Sequence, residues 1–386
     1  MSKWKPVKLG EICEIVTGST PSTLKQEYWD GSFYWVTPAE ISDGDYYIER
    51  TQRKLTEAGI SSAGLRIMPV GTVLLSSRAP IGKVAITAVE MACNQGFKNL
   101  ICEEKIHNRF LYYFLKNNKH YLNSLGRGAT FKEISKSIVC EIEIPLPPLE
   151  EQKRIANILD KASNLIDLRK QQLEKMDLLI KSKFIEMFGD PVINPKGWEV
   201  KKIADIADVK IGPFGSLLHL EDYVEDGHPL INPSHISNDI ITYDSKKTIT
   251  DEKYEEMKPY HLQINDIVLG RRGEIGRCAI VKQNGFMCGT GSLLIRIKNN
   301  YLPIIMQKII SHPSFKGFLK DKSVGVTMDN LNAGTISNLK IFLPPIELQN
   351  QFAEFVEQVE KQKAVMQQSL EKMETNHKAL MQEYFG

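Results

Sequence analysis

The chain has 386 residues, 42% hydrophobic and 25% charged, with 49 Lys and Arg against 47 Asp and Glu. This reads as an ordinary globular protein of two or three domains. A net charge of +2 argues against a chain coated in positive charge, yet leaves room for local basic loops that bind nucleic acid.

The first stretch, "MSKWKPVKLGEICEIV", carries charges throughout and has no apolar core, so no signal peptide is expected. No apolar run approaches the length of a membrane span. The six cysteines, Cys13, Cys93, Cys102, Cys140, Cys278 and Cys288, contain no C-x-x-C pair. Zinc and redox readings are therefore weak. Reduced, mostly buried thiols in a cytoplasmic protein are expected.

The chain repeats itself. "WKPVKLGEICEIVTG" (Trp4 to Gly18) aligns with "WEVKKIADIADVKIG" (Trp198 to Gly212). At the same offset "VGTVLLSSRAPIGKVAI" (Val70 to Ile86) lies over "INDIVLGRRGEIGRCAI" (Ile264 to Ile280), so that Arg78 meets Arg272 and Ile81-Gly82-Lys83 meets Ile275-Gly276-Arg277. Further on, "IPLPPLEEQKRIANIL" (Ile144 to Leu159) matches "IFLPPIELQNQFAEFV" (Ile341 to Val356), with Pro147 over Pro344 and Gln152 over Gln349. Each copy is a body followed by a helix.

Within the bodies, short apolar runs such as "GTVLLSS", "KVAITAV", "DIVLG" and "SLLIRIK" alternate with Gly, Pro, Asn and Asp. This pattern predicts short strands and turns. "NRFLYYFLKNNKHYLNSL" and "YLPIIMQKIISHPSFKGFL" predict one helix in each body, giving an α+β fold. After Pro147-Pro148, a 4-3 spacing from Ile155 through Leu159, Ala162, Ile166, Arg169, Leu173, Met176, Ile180 and Lys183 to Met187 is mostly apolar. The second copy repeats it from Phe352 to Tyr384. A period of 3.5 sustained this long predicts a coiled-coil seam. The prolines disfavour helix upstream, and Gly189 before Asp190-Pro191 ends the first helix. Matched copies favour an antiparallel pair of spacer helices relating the bodies by a pseudo-twofold axis. The expected division is a body at 1–148, a central helix at 149–189, a second body at 190–345 and a C-terminal helix at 346–386.

Those residues carry a resemblance. "PLPPLEEQKRIANIL", "LEKMDLLIKSKFIEMFG" and "DIVLGRRGEIGR" resemble the specificity subunit of Type I restriction–modification systems, and the likeness spans the whole chain. It implies a non-catalytic subunit whose bodies are target recognition domains, each reading half of a bipartite double-stranded DNA site. It also implies that the helices are spacer and docking surface for two methyltransferase (modification) subunits, which motor-nuclease (restriction) subunits join. S-adenosylmethionine, ATP and Mg would then reside on partner subunits, with no cofactor in this chain. The copies differ where Arg78-Ala79-Pro80 faces Arg272-Gly273-Glu274 and where "CNQGFKNL" faces "CGTGSLLI".

Catalytic motifs are weak. "INPSHI" (Ile231 to Ile236) loosely matches an amino-methyltransferase motif but lacks the second Pro and the aromatic; its mate "VTPAEI" (Val36 to Ile41) suggests a shared turn instead. Asp190, Glu199 and Lys201 form a loose nuclease-like set whose repeat mate is not acidic. There is no Walker loop and no His/Cys/Asp cluster with metal-ligand spacing. DNA-contact candidates are the basic residues of recurring glycine-containing loops: Arg78 and Lys83 in one copy, and Arg271, Arg272 and Arg277 in the other. A second recurring element, "GRGATF" over "SVGVTM", adds Thr130 and Thr327, alongside Arg127, as candidate phosphate contacts. The bland alternative for the arginine loops is a solvated hairpin tip or a structural ion pair, and for the second element a plain loop before the last strand. A different function class, a tandem protein-binding adaptor without DNA contact, also fits two bodies on long helices.

Overall fold

The computed structural model describes residues 4–78, 80–128, 132–214, 217–298, 300–322 and 331–386. It divides into two units, Met1–Gln171 with Gln367–Gly386, and Gln172–Met366. Each unit therefore holds one body and part of each long helix.

The first body is built on a five-stranded sheet ordered Cys13–Thr17, Lys98–Cys102, Val73–Leu75, Val84–Thr87, Tyr47–Ile48. The second repeats four of these strands as Ala207–Ile211, Ser292–Ile297, Ile267–Gly270, Cys278–Ile280. A parallel pairing recurs as well, Trp29–Val36 with Met91–Cys93 and His228–Ile231 with Met287–Cys288. The central strands read as continuous apolar runs because both faces are covered. Val73 and Leu75 enter one core while Leu74 enters another. Ile267 and Leu269 likewise face away from Val268.

A two-stranded ribbon closes each body. Pro6–Lys8 pairs antiparallel with Glu143–Pro145, and Glu199–Lys202 with Lys340–Leu343. The beginning and end of each body thus meet just before the Pro-Pro junction. The predicted single body helix is two in each copy. Asn108–Asn117 is followed by Lys119–Leu125, and Pro303–Ser311 by Pro313–Lys322. In the second copy Pro313 lacks the N–H that a continuing helix needs. In the first, Asn118 closes one helix by donating its side-chain amide to Phe114 O at 2.9 Å.

Long helices run over Leu149–Phe188 and Ile346–Phe385, 40 residues each. That is about 60 Å of helix apiece. The 4-3 seam is real: every position of it in both helices is buried or half-buried, from Ile155 to Met187 and from Phe352 to Tyr384. Gly189 closes the first helix at φ 82, a left-handed conformation open to glycine. Within the first unit the two helices run antiparallel, with Ser163 Oγ 3.1 Å from His377 Nε2 and Lys170 paired with Glu374 at 2.8 Å. Within the second the same sense holds, with Asp177 paired to Lys363 at 2.6 Å and the Phe184 and Phe352 rings 5.6 Å apart. Among the described residues no helix is long and apolar enough to cross a membrane.

Candidate nucleic-acid interface

Both recurring basic loops connect the two strands of a hairpin, Val73–Leu75 to Val84–Thr87 and Ile267–Gly270 to Cys278–Ile280. The glycine of "IGK" and "IGR" is obligatory in each. Gly82 has φ 89 and Gly276 φ 80, where a side chain is strained. A Cβ there would also press on a lysine of the body helices, 3.0 Å from Lys119 Cγ and 2.5 Å from Lys316 Cγ.

The basic residue after that glycine turns inward. Lys83 Nζ donates to Pro38 O at 3.0 Å, and Arg277 Nη1 donates to Pro233 O at 3.3 Å. Each acceptor opens a single helical turn, Pro38–Glu40 and Pro233–His235. These are the turns of "VTPAEI" and "INPSHI", so both motifs are shared structure. Lys83 and Arg277 are thus clamps between loop and turn, and Arg277 also pairs with Glu274.

Arg78 and Arg272 stay exposed. The backbone beneath them is the same in both bodies. Ser77 N donates to Gly96 O at 2.7 Å and Ile134 N to Ser77 O at 2.9 Å. Arg271 N donates to Gly291 O at 3.0 Å and Leu331 N to Arg271 O at 2.9 Å. Arg271 itself is only 8% exposed, and burial, then the neighbouring Arg272, lowers its guanidinium below the ordinary value.

The second recurring element of the first body docks on the first. Glu133 exchanges backbone hydrogen bonds with Arg127 in both directions, at 3.0 and 2.9 Å, and forms a bridge with Arg78. Exposed Arg127 and exposed Arg78 are therefore linked through one residue. Thr130 and Thr327 lie outside the described residues. Two residues absent from the sequence candidates matter here. Glu133 accepts from Arg78 Nε at 2.9 Å and from Lys98 Nζ at 3.0 Å. Lys98, 6% exposed, also donates to Ser77 Oγ at 3.2 Å. Burial pushes the Glu133 carboxyl up, but the hydrogen bonds from Lys98 and Arg78 outweigh it and leave it below the usual value. A lysine inside the strand "FKNLI" was the one available signal, since lysine is rarely buried without a partner.

The nuclease-like set is not assembled. Asp190 Oδ1 accepts from Val192 N at 2.8 Å and Ile193 N at 3.1 Å, a turn after the helix, while Lys201 pairs with Glu199. Among the described residues no three His, Cys, Asp or Glu side chains are grouped to hold a metal. All six cysteines are free thiols, four of them buried.

Two copies of one α+β body, each handing the chain to a long helix and each raising an arginine loop, define a duplicated recognition subunit. The family model described as "Type I restriction modification DNA specificity domain" matches residues 1–177 and again 195–375. The chain belongs to this family and is a specificity subunit of a Type I restriction–modification system with two recognition domains. The MjaIX specificity subunit of Methanocaldococcus jannaschii is 31% identical over 380 residues, covering 92% of this chain and 86% of the relative. The MjaVIII specificity subunit of the same organism is 23% identical, covering 98% of this chain and 91% of the relative. A solved S subunit from M. genitalium superposes with a TM-score of 0.57 at 15% identity, covering 100% of this chain and 96% of that one. A chain from a study of complex assembly and conformational transition in a type I R-M system gives a TM-score of 0.63 at 18% identity, covering 99% and 97%. Specificity subunits are the non-catalytic component of these complexes; they bind DNA and work with modification and restriction subunits. The adaptor alternative falls with this assignment.

Proposed function

We propose that each body reads one half of a bipartite DNA target, and that Arg78 and Arg127 in the first body and Arg272 in the second are contacts to it. The carrying observation is the recurrence of one exposed arginine over the same backbone bonds in both bodies, while the basic neighbours Lys83 and Arg277 face inward. An arginine on a glycine-bounded loop suits bidentate contact with guanine or with phosphate. Thr130 and Thr327, carried in the sequence by "GRGATF" and "SVGVTM", complete the proposed set. The long helices take up two modification subunits, and restriction subunits join that core. The leucines exposed on the first helix, Leu165, Leu168, Leu178 and Leu179, are apolar surface for such docking. S-adenosylmethionine, ATP and Mg act on the partner chains.

The test exchanges 1–143 for the corresponding body of another specificity subunit and sequences the methylome of a host carrying the assembled system. One half of the methylated site should change and the other persist. A change in both halves refutes independent reading. The mass of the purified complex tests the count of modification subunits.

A further inference from the structure

We infer that Glu133 is a positioning residue for DNA recognition, aiming Arg78 through its Nε while buried Lys98 fixes Glu133 from beneath. The inference rests on the reading of Arg78 as a DNA contact. The first body holds a lysine that is only 6% exposed, in the strand Lys98–Cys102 under the loop. A buried ammonium is costly unless it is paired and hydrogen-bonded. Here Glu133 Oε1 at 3.0 Å and Ser77 Oγ at 3.2 Å supply both.

The other carboxylate oxygen of Glu133 takes Arg78 Nε at 2.9 Å. That leaves the Nη1 and Nη2 donors, on a side chain still 46% exposed, as the outward edge of the guanidinium. Two parallel donors are what guanine O6 and N7, or two phosphate oxygens, accept. An unrestrained arginine on a loop has many rotamers, and fixing it at the DNA costs entropy. A carboxylate behind Nε removes much of that freedom in advance. Alone, that carboxylate would repel DNA; Lys98 offsets its charge, so Lys98, Glu133 and Arg78 together carry one net positive charge. The backbone of Glu133 is pinned as well, by its exchange of bonds with Arg127.

The second body lacks this lysine–carboxylate support. Thr17 pairs with Lys98, and Ile211, its repeat mate, pairs with Leu293. The lysine position is therefore apolar there. The position of Ser77 is Arg271, itself buried. The buried cation has moved from the strand into the loop. The Lys98–Glu133 support belongs to the first body, so its loss should alter one half of the target alone.

The experiment is a double-mutant cycle on the complex assembled with its modification subunit. Binding is measured to the cognate duplex and to duplexes carrying each single base-pair change. Arg78→Ala should weaken cognate binding about tenfold to a hundredfold. Glu133→Gln should lose about threefold to thirtyfold, with discrimination blunted at the same target position or the salt slope changed in the same way. In the Arg78→Ala background Glu133→Gln should add less than about twofold. A Glu133→Gln that changes nothing, or a loss that persists in full without Arg78, overturns the positioning role while leaving Arg78 at the DNA. An Arg78→Ala with unaltered affinity and salt slope overturns the reading of Arg78, and the inference with it. If Glu133→Gln does not assemble, Lys98→Met removes the support from beneath and must affect the same half-site to sustain the inference.

Discussion

Gln152 and Gln349 hold the same three hydrogen bonds at the starts of the two long helices. Gln152 Nε2 donates to Lys105 O and Pro147 O, both at 2.9 Å, and its Oε1 accepts from His107 N at 2.8 Å. Gln349 Nε2 donates to Pro344 O at 2.9 Å and Asn300 O at 3.3 Å, and its Oε1 accepts from Leu302 N at 2.8 Å. Both side chains are fully buried. One amide thus ties the Pro-Pro turn to the entry of the body helix, and fixes how each helix leaves its body. Gln152→Leu keeps the volume but strands buried donors and acceptors, each worth about 1–3 kcal/mol. The expected loss is about 3 kcal/mol, read as a lower urea midpoint; a loss below about 1 kcal/mol would deny the amide this role. Gln349→Leu should do the same in the second unit.

The inward and outward basic residues separate by their effects. Arg272→Ala should cost about 1–3 kcal/mol in DNA binding, either at one base position or, for a phosphate contact, across all sequences with a flatter salt slope. It should leave the urea midpoint nearly unchanged. Arg277→Met should behave in the opposite way, lowering the midpoint because the turn opened by Pro233 loses its clamp. Equal effects of both substitutions on base discrimination would mean that the clamp geometry does not decide which residue meets the DNA.

Three histidines should make stability fall with acidity. Burial lowers His107, with the charge of Arg109 adding to it. Burial lowers His377, with Lys116 adding. Burial also lowers His312, against the pull of Asp190. Each takes up a proton less readily folded than unfolded. Their contribution is therefore complete above about pH 6.5, the ordinary histidine value, and is lost as pH drops below it. The carboxyls held low by ion pairs, Asp43 by the hydrogen bond from Lys119 first and Glu274 by that from Arg277 first, titrate below this window. Urea midpoints at pH 7.5 and 5.5 should differ, and His377→Gln should narrow the difference. A midpoint that rises toward pH 5.5 contradicts the assignment.

Legibility in the sequence followed periodicity. The seam from Ile155 to Met187 could be read because a long amphipathic helix keeps one period over many turns. The repeat could be read because Pro-Pro, "IGK" and "IGR" each answer a backbone demand, such as the positive φ of Gly82 and Gly276. The single helix expected in each body is two, because the pattern continues across Asn118 and Pro313 while the backbone does not. The direction of basic side chains was not legible at all. Lys83 and Arg78 sit in one loop with the same charge, and only the placement of Pro38 and Glu133, distant in sequence, sends one inward and the other out. Glu133 and Lys98 escape the sequence for the same reason, since the two partners lie 35 residues apart in different elements.

Asp160 provides a final test, of how the first body is held to its helix. Its Oδ1 accepts from Tyr46 Oη at 2.6 Å and Tyr113 Oη at 2.8 Å, and its Oδ2 pairs with Arg109. Burial, with Asp160 adding, drives both tyrosine hydroxyls well above their usual range, so they remain donors at any physiological pH. One carboxylate on the first long helix therefore gathers three donors from the body. Hydrogen bonds to a charged group contribute about 1.5–3 kcal/mol each at most, and the pair with Arg109 is part-exposed and worth less. Asp160→Asn keeps the shape and one acceptor oxygen, but turns an N–H toward a donor. Asp160→Ala abandons all three partners. We expect losses of about 2 kcal/mol for Asn and about 3–4 kcal/mol for Ala, from urea unfolding followed by tryptophan fluorescence. Tyr46→Phe in the Asp160→Ala background should add little, because the hydroxyl has already lost its acceptor. If the single and double variants instead add independently, the three donors act separately and Asp160 is not the point that anchors the body.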